Sequence, residues 1–318
     1  MFSIAARACR APFAFAASTA AVLLLGAAPA FAFCKATTCS AASGGTECPH
    51  DANGCATSGV PLSWSKSCLS FAVDEAGSPK RNITYDVFDH VVRIAFQQWL
   101  AVDCGGGQHP TLALWDAADF AGALVCDKPE YNPTGPNANG WMLRDGDWPY
   151  HDAASQFAHT TITFEPSTGR ILDADVEINS FGLDLTTSDD DIVDDLQSIA
   201  THEAGHFLGL ADSSDPDATM SATYSPASRK ARSLASDDEA AICALYAPNH
   251  TGATCSDPSP THGYTRYCAS AAHSSGCDVS RRSTRTANGG TALAVAALAL
   301  LRRKVCSRGA ASGECRSS

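Results

Sequence analysis

The chain has 318 residues, 45% of them hydrophobic, with a formal net charge of -12. That length and composition suffice for a packed core and exclude wholesale disorder. The acidic balance argues against a nucleic-acid partner, which needs a basic surface to neutralise phosphates.

In chain order, the first 32 residues read as an export signal. Arg7 and Arg10 give the basic start, Ala21 to Leu25 the apolar centre, and Ala30-Phe31-Ala32 a small-x-small cleavage site. An uncleaved membrane anchor is the competing reading. Of 14 cysteines, ten lie between Cys34 and Cys268. In an exported chain these are expected to pair as disulfides, with Cys104–Cys126 and Cys255–Cys268 suggested by closeness alone. A zinc knuckle is the alternative, but no C-x2-C meets a second C-x2-C here.

Residues 33–67 are rich in Cys, Gly and Ser and predict a disulfide-stapled extension. Leu69 to Val73 alternates as a strand does. Phe88, Val91, Val92, Ala95, Phe96 and Trp99 follow helical spacing. Leu112 to Leu114 predicts a short strand. Thr160 to Phe164 and Ile171 to Ile178 predict two more, joined by a turn through Gly169. Ser188 before Asp189, Asp190 and Asp191 reads as the start of a helix running through Leu196, Ile199 and Ala200. The same Asp cluster is a candidate calcium site. A last helix is expected over Asp237 to Tyr246, with Pro248 closing the domain. The main domain is thus 68–248, and 249–290, rich in Ser, Thr, Gly and His, reads as a linker.

The segment from His202 to Asp212 carries the chemistry. Two histidines four apart stack on one helix face, so His202 and His206 can reach one metal. Glu203 stands beside that metal, where a base must be to take a proton from water. Gly209 lets the chain leave the helix sharply, and Asp212 returns as a third ligand. Met220, eight residues on, is either ordinary core or the methionine turn that accompanies such a motif.

His-Glu-x-x-His-x-x-Gly-x-x-Asp followed by Met220 resembles the metzincin clan, and within it the matrixin-like metalloproteases, especially secreted myxobacterial ones. The resemblance spans about residues 59–248. It includes Phe96-Gln97-Gln98-Trp99, Ala158-His159-Thr160, Thr201 to Leu210, Leu234 to Asp238, and Leu245-Tyr246. It implies an α+β, α/β-like metzincin fold. A twisted, mostly parallel five-stranded sheet with one antiparallel edge strand packs on two long helices. A small C-terminal subdomain follows the methionine turn. It also implies a secreted monomeric zinc endopeptidase acting on protein or peptide substrates, with one zinc on His202, His206 and Asp212 and with Glu203 as general base. The edge strand His159 to Phe164 would pair with substrate. A catalytically inactive surface-binding module on the same fold is the alternative. The chain departs from most matrixins in having Asp212 where they carry histidine, and it lacks a Pro-Arg-Cys-Gly propeptide switch.

Beyond the linker, Gly276-Cys277, a spacer, an 11-residue apolar run from Thr291 to Leu301, and Arg302-Arg303-Lys304 resemble a myxobacterial sorting signal over 276–304. The run makes about 16 Å of helix, too short to span a bilayer core of about 30 Å. The resemblance implies display at the cell surface through Cys277. A weak terminal helix is the plainer reading. Residues 305–318 form a tail that departs from that pattern.

Overall fold

The computed structural model describes residues 32–39, 48–150, 153–248 and 255–268. All belong to one of the chain's two compact units, Met1–Gly276. The export signal, apart from Ala32, lies outside the described residues, as do the sorting segment and the tail.

The elements in chain order are β1 (Cys34–Lys35), β2 (Cys68–Val73), α1 (Tyr85–Leu100), β3 (Ala113–Asp116), β4 (Gly140–Leu143), β5 (Ala158–Phe164) and β6 (Ile171–Ile178). They continue with β7 (Leu185–Thr186), β8 (Asp194–Asp195), α2 (Leu196–Phe207), β9 (Leu210–Ala211) and α3 (Ser236–Leu245). A five-stranded sheet has the order β3-β2-β4-β6-β5. Its neighbours are parallel except β5 with β6, which run antiparallel. The fold is therefore α+β, with a mostly parallel sheet and an antiparallel edge strand.

Helix α1 forms where the apolar stripe predicts it. Thr84 caps its start by accepting from the Val87 N–H, and Phe88, Val91, Val92, Ala95, Phe96 and Trp99 are buried. The stripe meets one sheet face in an aromatic cluster. Phe96 lies 5.0 Å from Phe71, 5.4 Å from Trp141 and 5.0 Å from Phe207 by ring centroid. Tilted and edge-on contacts at this range suit the ring quadrupoles.

Several expectations are corrected. Strand β4 lacks a long alternating run and was not foreseen; Gly140, Trp141, Met142 and Leu143 are all buried. Helix α2 begins at Leu196, not near Ser188. Its cap is Asp195, whose carboxylate accepts from the Ser198 N–H at 2.9 Å and is held by Arg232. Asp191 takes a left-handed φ of 53°, which ends any helix there. Asp189 pairs with Arg229 and Arg232.

The cysteine-rich extension is integral to the fold. Strand β1 pairs with β9, Leu62 is fully buried, and the Trp64 indole donates to the Phe207 carbonyl at 2.8 Å. Among the described residues the disulfides are Cys34–Cys55, Cys39–Cys48, Cys68–Cys255, Cys104–Cys243 and Cys126–Cys268. The pairs suggested by closeness do not form, because the fold brings distant segments together instead. Residues 255–268 are consequently not a free linker. Two disulfides and backbone bonds such as Val125 N–H to Arg266 O at 2.6 Å fasten them to the body. They cover a small second core around Ala72, Leu124 and Met142 on the other sheet face.

That other face also buries a row of acids. On β6, Ala174, Val176 and Ile178 join the main core, so Asp173, Asp175 and Glu177 point the opposite way, all buried. Asp175 accepts from Gly140 N–H at 2.7 Å and Glu130 N–H at 2.9 Å, while Asp173 Oδ1 has no hydrogen-bond partner among the described residues. Burial pushes Asp175 up to about 7, against the pull of those two N–H groups. Burial and the neighbouring Asp175 raise Asp173 well above the usual carboxylate range. The folded state therefore keeps protons that the unfolded chain releases, and stability falls as pH rises from about 4 through about 7. Asp173→Asn removes this dependence at one site. Its Tm advantage over wild type should widen between pH 4 and pH 8, and an advantage that is flat with pH would show that the pair does not titrate there.

Candidate metal centre

Helix α2 delivers the three residues of the motif in its last two turns. His202 and His206 stand one turn apart, with ring nitrogens Nε2 and Nε2 3.1 Å from each other. The chain leaves the helix at Gly209, where φ is 98° and an added Cβ would stand 2.5 Å from the Leu62 carbonyl oxygen. Both the backbone angle and the close approach of the 33–67 segment demand glycine there. Strand β9 then places Asp212 so that its Oδ1 is 3.5 Å from each histidine Nε2. Sequence reasoning named these residues, and the fold brings all of them together.

The spacing fits one ion. Donors held at about 2.0–2.1 Å from a tetrahedral zinc are about 3.3–3.4 Å from one another. The outer ring nitrogens are fixed as well. His202 Nδ1 lies 2.8 Å from the Thr219 carbonyl and His206 Nδ1 3.0 Å from the Leu210 carbonyl. A carbonyl can only accept, so each Nδ1 carries a hydrogen, and each Nε2 faces the shared point, where its deprotonated form can offer a lone pair. Electrostatics agree. Burial would raise the Asp212 carboxyl, but hydrogen bonds from His202 and His206 hold it well below the usual carboxylate range. Burial disfavours charge on His206, but Asp212 and the Glu203 charge push it up to about 9. The site attracts positive charge.

Glu203 is buried beside this point, with a carboxylate oxygen within 4.8 Å of the histidine ligand atoms. It accepts a hydrogen bond from Thr160 Oγ1 on β5 at 2.5 Å. A second cluster, Cys126, Glu130 and Cys268, offers no thiolates because its cysteines form a disulfide.

Met220 is buried under the helix. A Cβ at Gly205 would collide with Met220 Sδ and stand 2.8 Å from the Trp99 ring, so glycine at 205 lets the helix sit down on both. Trp99 in turn donates from its indole to the Thr201 carbonyl at 2.8 Å. The turn carrying Thr219 and Met220 is held by Asp238, which accepts from both backbone N–H groups at 2.7 and 3.0 Å. Ser213 next to Asp212 donates from its hydroxyl to Asp237 at 2.6 Å and from its backbone N–H to the Met220 carbonyl at 2.6 Å. Sequence reasoning missed these roles of Asp237 and Asp238. An acidic pair at a helix start reads as a dipole complement, and nothing local shows that the pair also braces a loop 18 residues upstream.

The centre opens into a cleft of about 570 Å³, bordered by Phe157, His159 and Thr160 of the β5 side and by Ile199, Tyr224 and Lys230. Phe157 and Tyr224 stack at 4.3 Å, and the Tyr224 hydroxyl accepts from the Asp195 N–H at 2.7 Å.

An α+β body carries two histidines and a glutamate on its second helix, with an aspartate returning to them, and so presents a candidate metal site in a cleft. Comparison points to a family: residues 133–247 match the matrixin model, so this stretch of the chain is matrixin-like. It is 32% identical to Metalloendoproteinase 1-MMP of Arabidopsis thaliana over 187 residues, 58% of this chain and 45% of that protein. It is 37% identical to Metalloendoproteinase 4-MMP of the same plant over 106 residues, 33% of this chain and 29% of that one. It is 44% identical to Metalloendoproteinase 1 of Glycine max over 87 residues, 27% and 28% of the two chains. The chain thus spans less than half the length of these relatives.

Proposed function

We propose that the protein is an exported zinc metalloendopeptidase. The observation that carries this reading is the convergence of His202 Nε2, His206 Nε2 and Asp212 Oδ1 at 3.1–3.5 Å, with both Nδ1 atoms tied to carbonyls. These three residues would hold the zinc, and Met220 would be the methionine turn beneath it. Zinc, when bound, supplies Lewis acidity to the scissile carbonyl and makes water a stronger acid.

The chain's own residues do the rest. Glu203 takes a proton from the attacking water and delivers it to the leaving amine nitrogen, so one carboxylate serves both halves of the reaction. Strand β5 is the sheet edge beside the cleft, so its free backbone groups can add an extended peptide as one more strand. That peptide would cross the centre next to Glu203. Five disulfides suit an oxidising compartment outside the cytosol. The test is direct: purified protein should contain one zinc per chain and cleave casein, with cleavage stopped by a chelator and restored by zinc. Protein that holds one zinc but leaves casein and a peptide library intact would reject the peptidase reading.

A further inference from the structure

Strand β5 alternates its side chains, so Ala158, Thr160 and Ile162 share the face turned to α2. Ala158 and Ile162 pack against the main core. Between them stands a hydroxyl, in a row that is otherwise apolar. Its hydrogen-bond acceptor is the Glu203 carboxylate, at 2.5 Å and 43 residues away in sequence. The bond crosses from the strand that forms the cleft wall to the helix that carries the histidines.

We infer that Thr160 is the positioning residue for Glu203, an assignment that rests on the peptidase reading above. Glu203 sits one residue from His202 on the helix, and its long side chain has three rotatable bonds. Without a partner it can swing along the cleft. The Thr160 hydroxyl fixes Oε2 and leaves Oε1 for the proton that has to be moved. Threonine is suited to this because its β-branch stiffens χ1, which keeps the hydroxyl aimed. A hydrogen bond to an ionised acceptor is stronger than a neutral one, so a single hydroxyl is enough to hold the carboxylate. The geometry also links the two parts of the cleft: a peptide added to β5 lies on the same strand that aims the base.

A buried hydroxyl needs some partner in any case, so a purely structural role must be separated from this one. Thr160→Val keeps the shape and removes the donor, and Thr160→Ser keeps the donor. In zinc-loaded protein with a fluorogenic peptide, Thr160→Val should lower kcat about ten- to hundredfold, the size of one hydrogen bond to a charged group, with KM changed less than about threefold. Thr160→Ser should recover most of the loss. Two further readouts do not depend on turnover. Zinc affinity by chelator competition should match wild type in both variants. Crystal structures should show the Glu203 carboxylate displaced or split in Thr160→Val and single in wild type and Thr160→Ser. Unchanged kcat in Thr160→Val, or equal losses in Val and Ser variants accompanied by lower zinc affinity, would overturn the assignment. A wild-type protein that cleaves no peptide would instead remove the peptidase reading, and this inference with it.

Discussion

Glu203→Gln should leave zinc bound at one per chain and lower kcat by about 10²–10⁴-fold, the usual worth of general acid–base catalysis. Glutamine keeps the shape and can still accept the Thr160 hydrogen bond on its amide oxygen, but it cannot take up a proton at the reacting water. The three residues assigned to the ion, His202, His206 and Asp212, are untouched, so metal content and Tm should stay near wild type. The loss should therefore fall on kcat with KM little changed, because the proposed peptide site is β5 and the cleft wall rather than this carboxylate. Metal analysis beside steady-state kinetics checks both halves. Full turnover in Glu203→Gln would take Glu203 out of the mechanism, and loss of zinc would reassign it as a ligand.

His206→Ala has the other large effect. It removes one of three converging donors and leaves His202 and Asp212 with only two coordination bonds to offer. Loss of a mere outer hydrogen-bond partner typically costs a metal site about 10–100-fold in affinity, so loss of a ligand should cost more, and activity should disappear with the metal. The fold should survive. The five disulfides and the aromatic core around Phe96 do not pass through the His206 ring. Chelator competition for zinc and a circular dichroism melt separate the two outcomes. Tight stoichiometric zinc in a folded His206→Ala protein would mean that the metal sits elsewhere.

Much of the site was legible because its chemistry is local. His202, Glu203, His206, Gly209 and Asp212 occupy eleven consecutive positions, and helical geometry alone puts the two rings on one face. Helix α1 and strands β5 and β6 were legible because each has one apolar and one polar side. The parts that were not legible depend on contacts between segments far apart. Strand β4 is buried on both faces and has no alternation to read. The pairing of Cys104 with Cys243 and of Cys126 with Cys268 depends on a topology that cysteine spacing does not encode. Residues 255–268 look like linker by composition and are held by covalent bonds that composition does not reveal. The bracing of Met220 by Asp238, and of Glu203 by Thr160, likewise joins elements that only the folded chain makes neighbours.

The long-span disulfides bear on how such an enzyme would age. Cys68–Cys255, Cys104–Cys243 and Cys126–Cys268 close loops of 187, 139 and 142 residues, and together they wrap the body from β2 to the far end of the described chain. A peptidase at high concentration meets its own exposed loops as substrate. A single cut within any of these spans leaves both pieces tied together. Damage of this kind would accumulate unseen wherever the chain is examined with its disulfides intact. It would surface only when thiols are reduced, as an apparently intact enzyme falling into fragments on a gel.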